Sequence, residues 1–240
     1  MTLSHAEIVD AYRIDDRAAR LVRMNFVSSI DGAATVRGRS AALGGETDRA
    51  IMQVLRAMCD VVLVGAGTVR VEGYGGTKVE GADAAWRRDR DLPPQPRLAV
   101  VSRRLDLDPG HGFFAEAVTR PLVVTCADAP GEAREALSRV ADVIVAGEAS
   151  VDLSVALAAL ADLGLRHVLS EGGPHLFGSL FTAGLVDEMC LTLSPRLVGG
   201  DAGRIMRGAP EGPRNMRLHH AVEDDGWLFL RYVAESKESS

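Results

Sequence analysis

The chain has 240 residues, of which 47% are hydrophobic and 25% charged, so it is long and apolar enough to bury a full core. This balance excludes a disordered chain, a collagen-like chain and a disulfide scaffold. A formal net charge of −6 argues against a nucleic-acid-binding surface. No apolar stretch reaches the roughly 18 residues that a membrane-spanning helix needs.

The cysteines and the N-terminal segment indicate a cytoplasmic protein. Cys59, Cys126 and Cys190 are scattered and form neither a C-x-x-C pair nor a Cys/His cluster. This usage is typical of a reducing compartment and argues against structural zinc. The first fifteen residues lack the apolar run of a signal peptide. We therefore expect a cytoplasmic protein without a bound metal, a nucleic-acid partner or membrane contact.

Short β-branched runs alternate along the chain with apolar residues at helical spacing. The predicted strands are Leu21–Val27, Asp60–Gly65, Arg97–Ser102, Pro121–Thr125, Asp142–Ala146, Arg166–Ser170, Val186–Leu193, Met216–Val222 and Trp227–Val233. The predicted helices are Glu46–Met58, Leu153–Leu163 and a third that begins at Pro174 and ends at Gly184. This alternation predicts an α/β protein with a mostly parallel sheet and helices on its faces.

The end of the chain has a different pattern. Glu223–Gly226 joins the last two predicted strands and contains an Asp-Gly pair, which indicates an antiparallel hairpin and hence a mixed sheet. The stretch Gly73–Pro96 is rich in glycine and proline and predicts a long irregular loop, typical of a functional flap or a mobile insertion. No repeat or linker divides the sequence, so we predict a single domain over residues 1–240.

The segment after the strand Arg166–Ser170 has the strongest chemical signal. Glu171 is followed by Gly172 and Gly173, and a helix begins at Pro174. Glycines let a ligand approach the backbone, and free N–H groups at a helix start attract an anion such as a pyrophosphate. The alternative is a tight strand-to-helix turn. Glu171 lies where open α/β sheets bind ligands, and its alternative is a solvated loop carboxylate.

A second segment runs from a buried strand into Gly65, Gly67 and Thr68. Arg70 stands where the third glycine of a dinucleotide fingerprint belongs, so the Rossmann pattern fails. Thr68 stays a candidate contact for a phosphate or a ribose. In a third segment Asp31 precedes Gly32, which is commonly only a turn; the alternative is that Asp31 points into a cleft and binds a polar ring.

Together, these segments resemble the RibD C-terminal family, the reductase domain of bacterial riboflavin biosynthesis. The matching order is S-x-D-G, then L-R-A with VLVGAGTVR, then RLAVVS, SEGGPxL, LVDE and PRLVGG, from about Arg20 to Val233. The resemblance implies a dihydrofolate-reductase-like three-layer fold with a mixed sheet of eight or nine strands. It also implies a homodimer that uses NADPH to reduce the ribosyl group of 5-amino-6-(5-phosphoribosylamino)uracil to a ribityl group.

The resemblance also implies where the ligands bind. NADPH would contact Thr68, Glu72, Ser102 and the run Gly173, Pro174, His175, Leu176, Phe177, Gly178 and Ser179, to which the glycine argument adds Gly172. The substrate would contact Ser40, Arg56 and Glu171, with Asp31 beside the reacting ring, so Asp31 and Glu171 are the catalytic candidates. For Arg56 the alternative is a polar helix face. Charge alone assigns Arg103 or Arg104 to the adenosine 2′-phosphate.

The chain departs from the family pattern at two places. A tryptophan after the S-x-D-G loop is replaced by Ala41–Leu43, and the substrate-phosphate arginine of two-domain members has no clear counterpart in Gly73–Pro96. Arg87, Arg88 and Arg90 are the candidates to replace that arginine.

We also expect no partner deaminase domain. Ser4–Glu7 resembles the H-x-E of zinc deaminases, but no P-C-x-x-C follows, so we expect the start of a surface helix. Two functions besides a riboflavin-type reductase stay open. They are a dihydrofolate or pterin reductase, and an NADPH-binding paralogue without turnover.

Overall fold

The structure, a computed structural model, describes residues 3–72, 74–76 and 78–235. Its helices are α1 (His5–Ala11), α2 (Glu46–Met58), α3 (Ala66–Glu72), α4 (Gly81–Arg88), α5 (Gly112–Ala115), α6 (Gly131–Ser138), α7 (Leu153–Asp162) and α8 (Pro174–Thr182). Its strands are β1 (Leu21–Ser29), β2 (Val61–Gly65), β3 (Arg97–Val101), β4 (Leu122–Thr125), β5 (Asp142–Val145), β6 (His167–Ser170), β7 (Glu188–Ser194), β8 (Met216–Asp224) and β9 (Trp227–Ala234). Every predicted strand and helix is present, with ends that differ by at most two residues.

The strands form one nine-stranded sheet in the order β5-β4-β3-β2-β6-β1-β7-β9-β8. Strands β1 to β7 are parallel, and β9 and β8 add antiparallel pairs at one edge. Asp225 and Gly226 form the turn of this hairpin with φ values of 49° and 79°, which a tight turn between right-twisted strands requires. The predicted mixed sheet with its terminal hairpin is confirmed.

Helices cover both faces of the sheet, so the core lies in two layers. On one face Leu55 of α2 packs in a cluster with Val62 of β2, and on the other face Leu160 of α7 packs in a cluster with Val22 of β1. Each of these side chains is at most 1% exposed, and burying one contributes about 1.5–3 kcal/mol. The predicted three-layer arrangement is confirmed.

A buried cluster of Arg23, Glu188 and Arg231 attaches α1 to the sheet. Arg23 Nε donates to Glu188 Oε2 at 2.6 Å, and Arg231 Nη2 donates to Glu188 Oε1 at 2.6 Å. The two arginines also donate to the carbonyls of Tyr12 at 3.0 Å and Ala11 at 2.9 Å, at the C-terminal end of α1. Because that helix end carries partial negative charge, it offsets the second guanidinium.

The start of α1 is the expected surface helix. Ser4 Oγ accepts from the Glu7 N–H at 3.3 Å, and the Glu7 carboxylate accepts from the Ser4 N–H at 2.8 Å, which is a capping box. Within the described ranges, no helix combines the length and apolar character that a membrane span requires. In the same ranges, no three His, Cys, Asp or Glu side chains are grouped so that they could share a metal ion.

The prediction of an irregular loop over Gly73–Pro96 is wrong for its middle part, where α4 forms; Gly73 itself lies outside the described residues. Arg87 of α4 is fully buried and donates to the carbonyls of Ala57 at 2.8 Å and Cys59 at 2.7 Å. This long-range clamp supplies the tertiary contact that the glycine- and proline-rich composition does not reveal. Helices α3, α5 and α6 were not predicted because they are too short to show a clear period.

Candidate active site

The carboxyl ends of β2, β6 and β1 meet near the middle of the sheet, where β6 lies between the other two strands. After β2 the chain enters α3, which packs on the α2 face. After β6 it enters α8, which packs on the opposite face. In open α/β sheets this divergence opens a crevice outside the strand ends, where ligands bind.

Two glycines after β6 bring the backbone to the surface of this crevice. Gly172 has φ +91°, and a Cβ atom built on it would lie 3.0 Å from the ring of Phe26. A Cβ atom on Gly173 would lie 2.7 Å from Thr68 Oγ1. The Gly65 N–H donates to the Gly172 carbonyl at 2.7 Å and joins the two strand ends. We call Gly65, Thr68, Gly172 and Gly173 the glycine cradle.

The cradle continues into the start of α8. Gly173 is the N-cap residue and makes no side-chain hydrogen bond, and Pro174 occupies the first turn. The next amides, those of His175 and Leu176, therefore have no side-chain cap. Uncapped N–H groups at the positive end of a nine-residue helix suit an anion. The Leu176 and Phe177 side chains are buried.

The Glu171 carboxylate is held by a two-point ion pair. Arg56 of α2 donates from Nε to Oε1 and from Nη2 to Oε2, both at 2.7 Å. The Tyr74 hydroxyl donates to Oε2. The Arg56 and Glu171 side chains are only 12% and 7% exposed. Burial alone lowers the pKa of Arg56, but the charge of Glu171 and its hydrogen bonds raise that pKa above its usual value. Arg56 therefore stays charged.

Ser40 and Glu72 also form a contact. The N–H and the hydroxyl of Ser40 both donate to Glu72 Oε1 at 3.0 Å. This contact joins the loop that follows β1 to the end of α3. Two residues that the family resemblance assigned to different ligands are therefore neighbours.

Asp31 binds the loop that follows β7. Its Oδ1 accepts from the Ser29 hydroxyl at 2.5 Å, and its Oδ2 accepts from the N–H groups of Val198 at 3.2 Å and Gly199 at 2.7 Å. These bonds, that of Ser29 first, lower the pKa of Asp31 to about 2. The exposed carboxylate is therefore ionised at neutral pH and connects the ends of β1 and β7.

The middle of β1 is only partly covered by side chains, although β1 is an interior strand of the sheet. Asn25, Phe26 and Val27 are all half-buried, and they pair with β7 beyond the point where the pairing of β1 with β6 ends. Because side chains alternate along a strand, Asn25 and Val27 face α2 while Phe26 faces α8, where it stacks on Phe177 with ring centroids 5.1 Å apart. The incomplete cover on both faces locates the crevice above and below this strand.

Comparison with known proteins places the chain in a family. The family model described as the RibD C-terminal domain matches residues 20–228. The chain belongs to the RibD C-terminal domain family. The predicted resemblance is thereby confirmed.

Relatives of this RibD C-terminal domain are named as reductases. It is 31% identical over 185 residues to the 2,5-diamino-6-ribosylamino-4(3H)-pyrimidinone 5′-phosphate reductase of Methanothermobacter thermautotrophicus, which covers 77% of this chain and 82% of the relative. It is 34% identical over 181 residues to the reductase of the same name from Archaeoglobus fulgidus, and this match covers 75% of this chain and 82% of the relative. A pyrimidine reductase-like protein from Corynebacterium diphtheriae superposes with a TM-score of 0.86 at 25% identity, over 98% of this chain and 100% of that one.

Six of the predicted site residues of this RibD C-terminal domain lie in contacting pairs. The pairs are Thr68 with Gly173, Ser40 with Glu72, and Arg56 with Glu171. Others lie apart: Ser102 is buried and its Oγ accepts from the Leu105 N–H at 3.0 Å, while Arg103 beside it is exposed. Gly178 and Ser179 lie in the second turn of α8. The ligand roles of all these residues stay predictions.

Tyr74 is the member of this site that sequence reasoning missed. It belongs to no motif and to no periodic element, and it lies in the stretch predicted as an irregular loop. Its partner Glu171 is 97 positions away in the chain. The only signal was compositional, since Tyr74 is an aromatic residue flanked by Gly73 and Gly75 in a run of small residues.

Proposed function

We propose that this chain uses NADPH to reduce the ribosyl group of a ribosylaminopyrimidine 5′-phosphate to a ribityl group. The observation that carries the proposal is the position of Glu171, which directly precedes Gly172 and Gly173 at the end of β6. One strand end thus offers a buried carboxylate, which accepts from ring N–H groups, beside the amides of an anion site. A polar ring and a dinucleotide can be held side by side there.

The residues present fit a dinucleotide. The glycine cradle has no room for a side chain at Gly173, and no side chain caps the start of α8, which suits a pyrophosphate. Thr68 and Glu72 supply a hydroxyl and a carboxylate for further contacts. NADPH, when bound, would supply a hydride to the sugar carbon attached to the ring amine, and a proton from solvent would complete the gain of two hydrogens. Arg103 or Arg104, which follow Ser102 after the end of β3, would pair with the 2′-phosphate and favour NADPH over NADH.

The two catalytic candidates have different parts in this proposal. Glu171 orients the substrate ring by accepting a hydrogen bond, and Arg56 keeps its charge compensated. Asp31, with a pKa of about 2, is ionised at neutral pH and has no proton to donate. We therefore assign Asp31 to orientation, because it fixes the loop of Val198 and Gly199 beside the substrate ring.

We propose 2,5-diamino-6-ribosylamino-4(3H)-pyrimidinone 5′-phosphate as the preferred substrate. Two relatives above 30% identity carry its name, and its extra amino group adds N–H donors for the Glu171 carboxylate. 5-Amino-6-(5-phosphoribosylamino)uracil, expected from the family resemblance, has a carbonyl at that position and ranks second. A pterin reductase and a paralogue without turnover are the remaining alternatives.

The test measures NADPH oxidation with the diaminopyrimidinone, the uracil and dihydrofolate side by side, with mass spectrometry for the gain of two hydrogens. We expect turnover with the first compound and a loss of kcat/KM of about tenfold or more in E171Q, since a hydrogen bond to a charged group is removed. E132Q, an exposed glutamate of α6, is the matched control and should behave as wild type.

The other possible results of this assay would support a different function or refute the assignment of Glu171. Turnover of dihydrofolate alone would support the pterin alternative. NADPH binding by calorimetry without oxidation of any of the three compounds would support the paralogue without turnover. Full activity of E171Q would refute the assignment of Glu171.

We further propose that the protein works in the cytoplasm as a homodimer of single-domain subunits. The edge strand β8 supports this, since most of its residues are exposed and Leu218 is 46% exposed. Light scattering after size exclusion should give twice the subunit mass. A monomer at micromolar concentration would contradict it.

A further inference from the structure

We propose that Tyr74 is a positioning residue of the substrate site, which acts by fixing the Glu171 carboxylate; this inference rests on the proposed function. Its hydroxyl donates to Glu171 Oε2 and lies 3.3 Å from Arg56 Nη2. Tyr74 therefore touches both members of the ion pair. No motif of the chain and no ligand assignment from the family resemblance includes it.

The hydroxyl determines which carboxylate oxygen is left for a ligand. A carboxylate oxygen accepts about two hydrogen bonds. Oε2 of Glu171 accepts from Arg56 Nη2 and from Tyr74, whereas Oε1 accepts from Arg56 Nε among the described residues. Oε2 is therefore saturated, and Oε1 keeps one acceptor position. The substrate ring can then bind in one orientation instead of two.

The Tyr74 ring is held so that its hydroxyl keeps this direction. The Arg56 guanidinium carbon lies 5.8 Å from the ring centroid, and the Phe113 ring lies 6.3 Å away at an angle of 47°. Both contacts leave the aromatic ring packed against the core on the α2 face. A phenylalanine at position 74 would keep these contacts and lose only the hydroxyl.

The connection between α3 and β3, which carries Tyr74, is itself anchored. Val79 and Gln95 form two hydrogen bonds. The Val79 N–H donates to Gln95 Oε1 at 2.7 Å, and Gln95 Nε2 donates to the Val79 carbonyl at 2.8 Å. Arg87 of α4 attaches the same connection to the end of α2 through Ala57. The connection is therefore anchored by contacts outside the site, as a positioning role requires.

The test compares Y74F with wild type in the NADPH oxidation assay with the diaminopyrimidinone. We expect KM for the pyrimidine to rise about tenfold, because a hydrogen bond to a charged group in the bound complex is lost. KM for NADPH and kcat should change less than about twofold, since orientation of the bound ring contributes equally to ground and transition states.

Two further variants isolate the effect. Y232F, on β9 and outside the site, should match wild type in all these constants. The double variant Y74F/E171Q should be no worse than E171Q, because Tyr74 acts only through Glu171. If Y74F fails to fold, Y74M takes its place, since it also removes the hydroxyl and keeps an apolar side chain.

An unchanged pyrimidine KM in Y74F would overturn the inference. So would a uniform loss of activity that follows a lower melting temperature, or additive losses in the double variant. These results leave the proposed function standing, as wild type turns over. If the wild-type protein turned over neither of the two pyrimidines with NADPH, that result would instead overturn the proposed function, and the inference with it.

Discussion

The cluster of Arg23, Glu188 and Arg231 leads to a quantitative prediction for stability. The Glu188 side chain is 9% exposed, and the two arginines are 3% and 6% exposed. Burial alone raises the pKa of Glu188, but the arginines outweigh it and hold that pKa below its usual value. The carboxylate is therefore charged in the folded protein, and its loss leaves two guanidinium groups without their shared partner.

We expect E188Q to lower the free energy of unfolding by about 3 kcal/mol, at the low end of the roughly 3–5 kcal/mol for a broken buried pair, because the amide retains one acceptor oxygen. At about 2–4 °C per kcal/mol for a chain of this size, the melting temperature should fall by about 6–12 °C. Urea denaturation followed by circular dichroism measures the change, with the denaturant slope m unchanged.

The matched control is E135Q, which breaks the exposed pair of Glu135 with Arg139, at 3.0 Å and with side chains 73% and 74% exposed. Such a pair contributes at most about 1 kcal/mol, so the control should change stability little. Equal losses in E188Q and E135Q would refute the reasoning. In both variants KM should stay unchanged, because Glu188 begins β7 while the site lies at the other end of the parallel strands.

Two further predictions concern the cradle and the pH dependence of stability. G173A should raise the Kd for NADPH, measured by calorimetry, about tenfold or more, because its Cβ atom would lie 2.7 Å from Thr68 Oγ1. The control is G131A, where an added Cβ atom meets nothing within 4 Å. Equal NADPH affinity of the two variants would contradict the assignment of the glycine cradle to the cofactor. Burial and the charge of Arg231 lower the pKa of His220 to about 4, so stability is fully present above about pH 6.5 and declines as the pH falls towards 4. H220Q should reduce this decline in urea midpoints, and an identical decline would refute the argument.

Local chemistry explains why much of the fold could be predicted. The glycines before Pro174 and the Asp-Gly turn at Asp225 are short signals whose meaning depends on backbone conformation alone. The strands were predicted because buried parallel strands consist of continuous β-branched runs. α4 was missed because its stability depends on Arg87, which reaches carbonyls 28 and 30 positions away.

The site was predicted as a set of residues and not as a set of contacts. Arg56 and Glu171 were both identified, but their pairing over 115 positions follows only from the placement of α2 against β6. Asp31 was identified as a candidate, but the sequence did not reveal that its carboxylate binds amides 167 and 168 positions away. Tyr74 was absent from the prediction because no periodicity or motif marks a single side chain that approaches from a connecting segment.

The anchoring of the α3–β3 connection has a consequence for how the substrate range of this protein could change. Tyr74 lies in a segment whose described residues contribute no strand to the sheet and which Val79, Gln95 and Arg87 anchor by hydrogen bonds. Replacing that segment would therefore exchange the group that donates to the Glu171 carboxylate, while the strands keep their register and the glycine cradle keeps its residues. Substrate range could then evolve, or be engineered, independently of cofactor use.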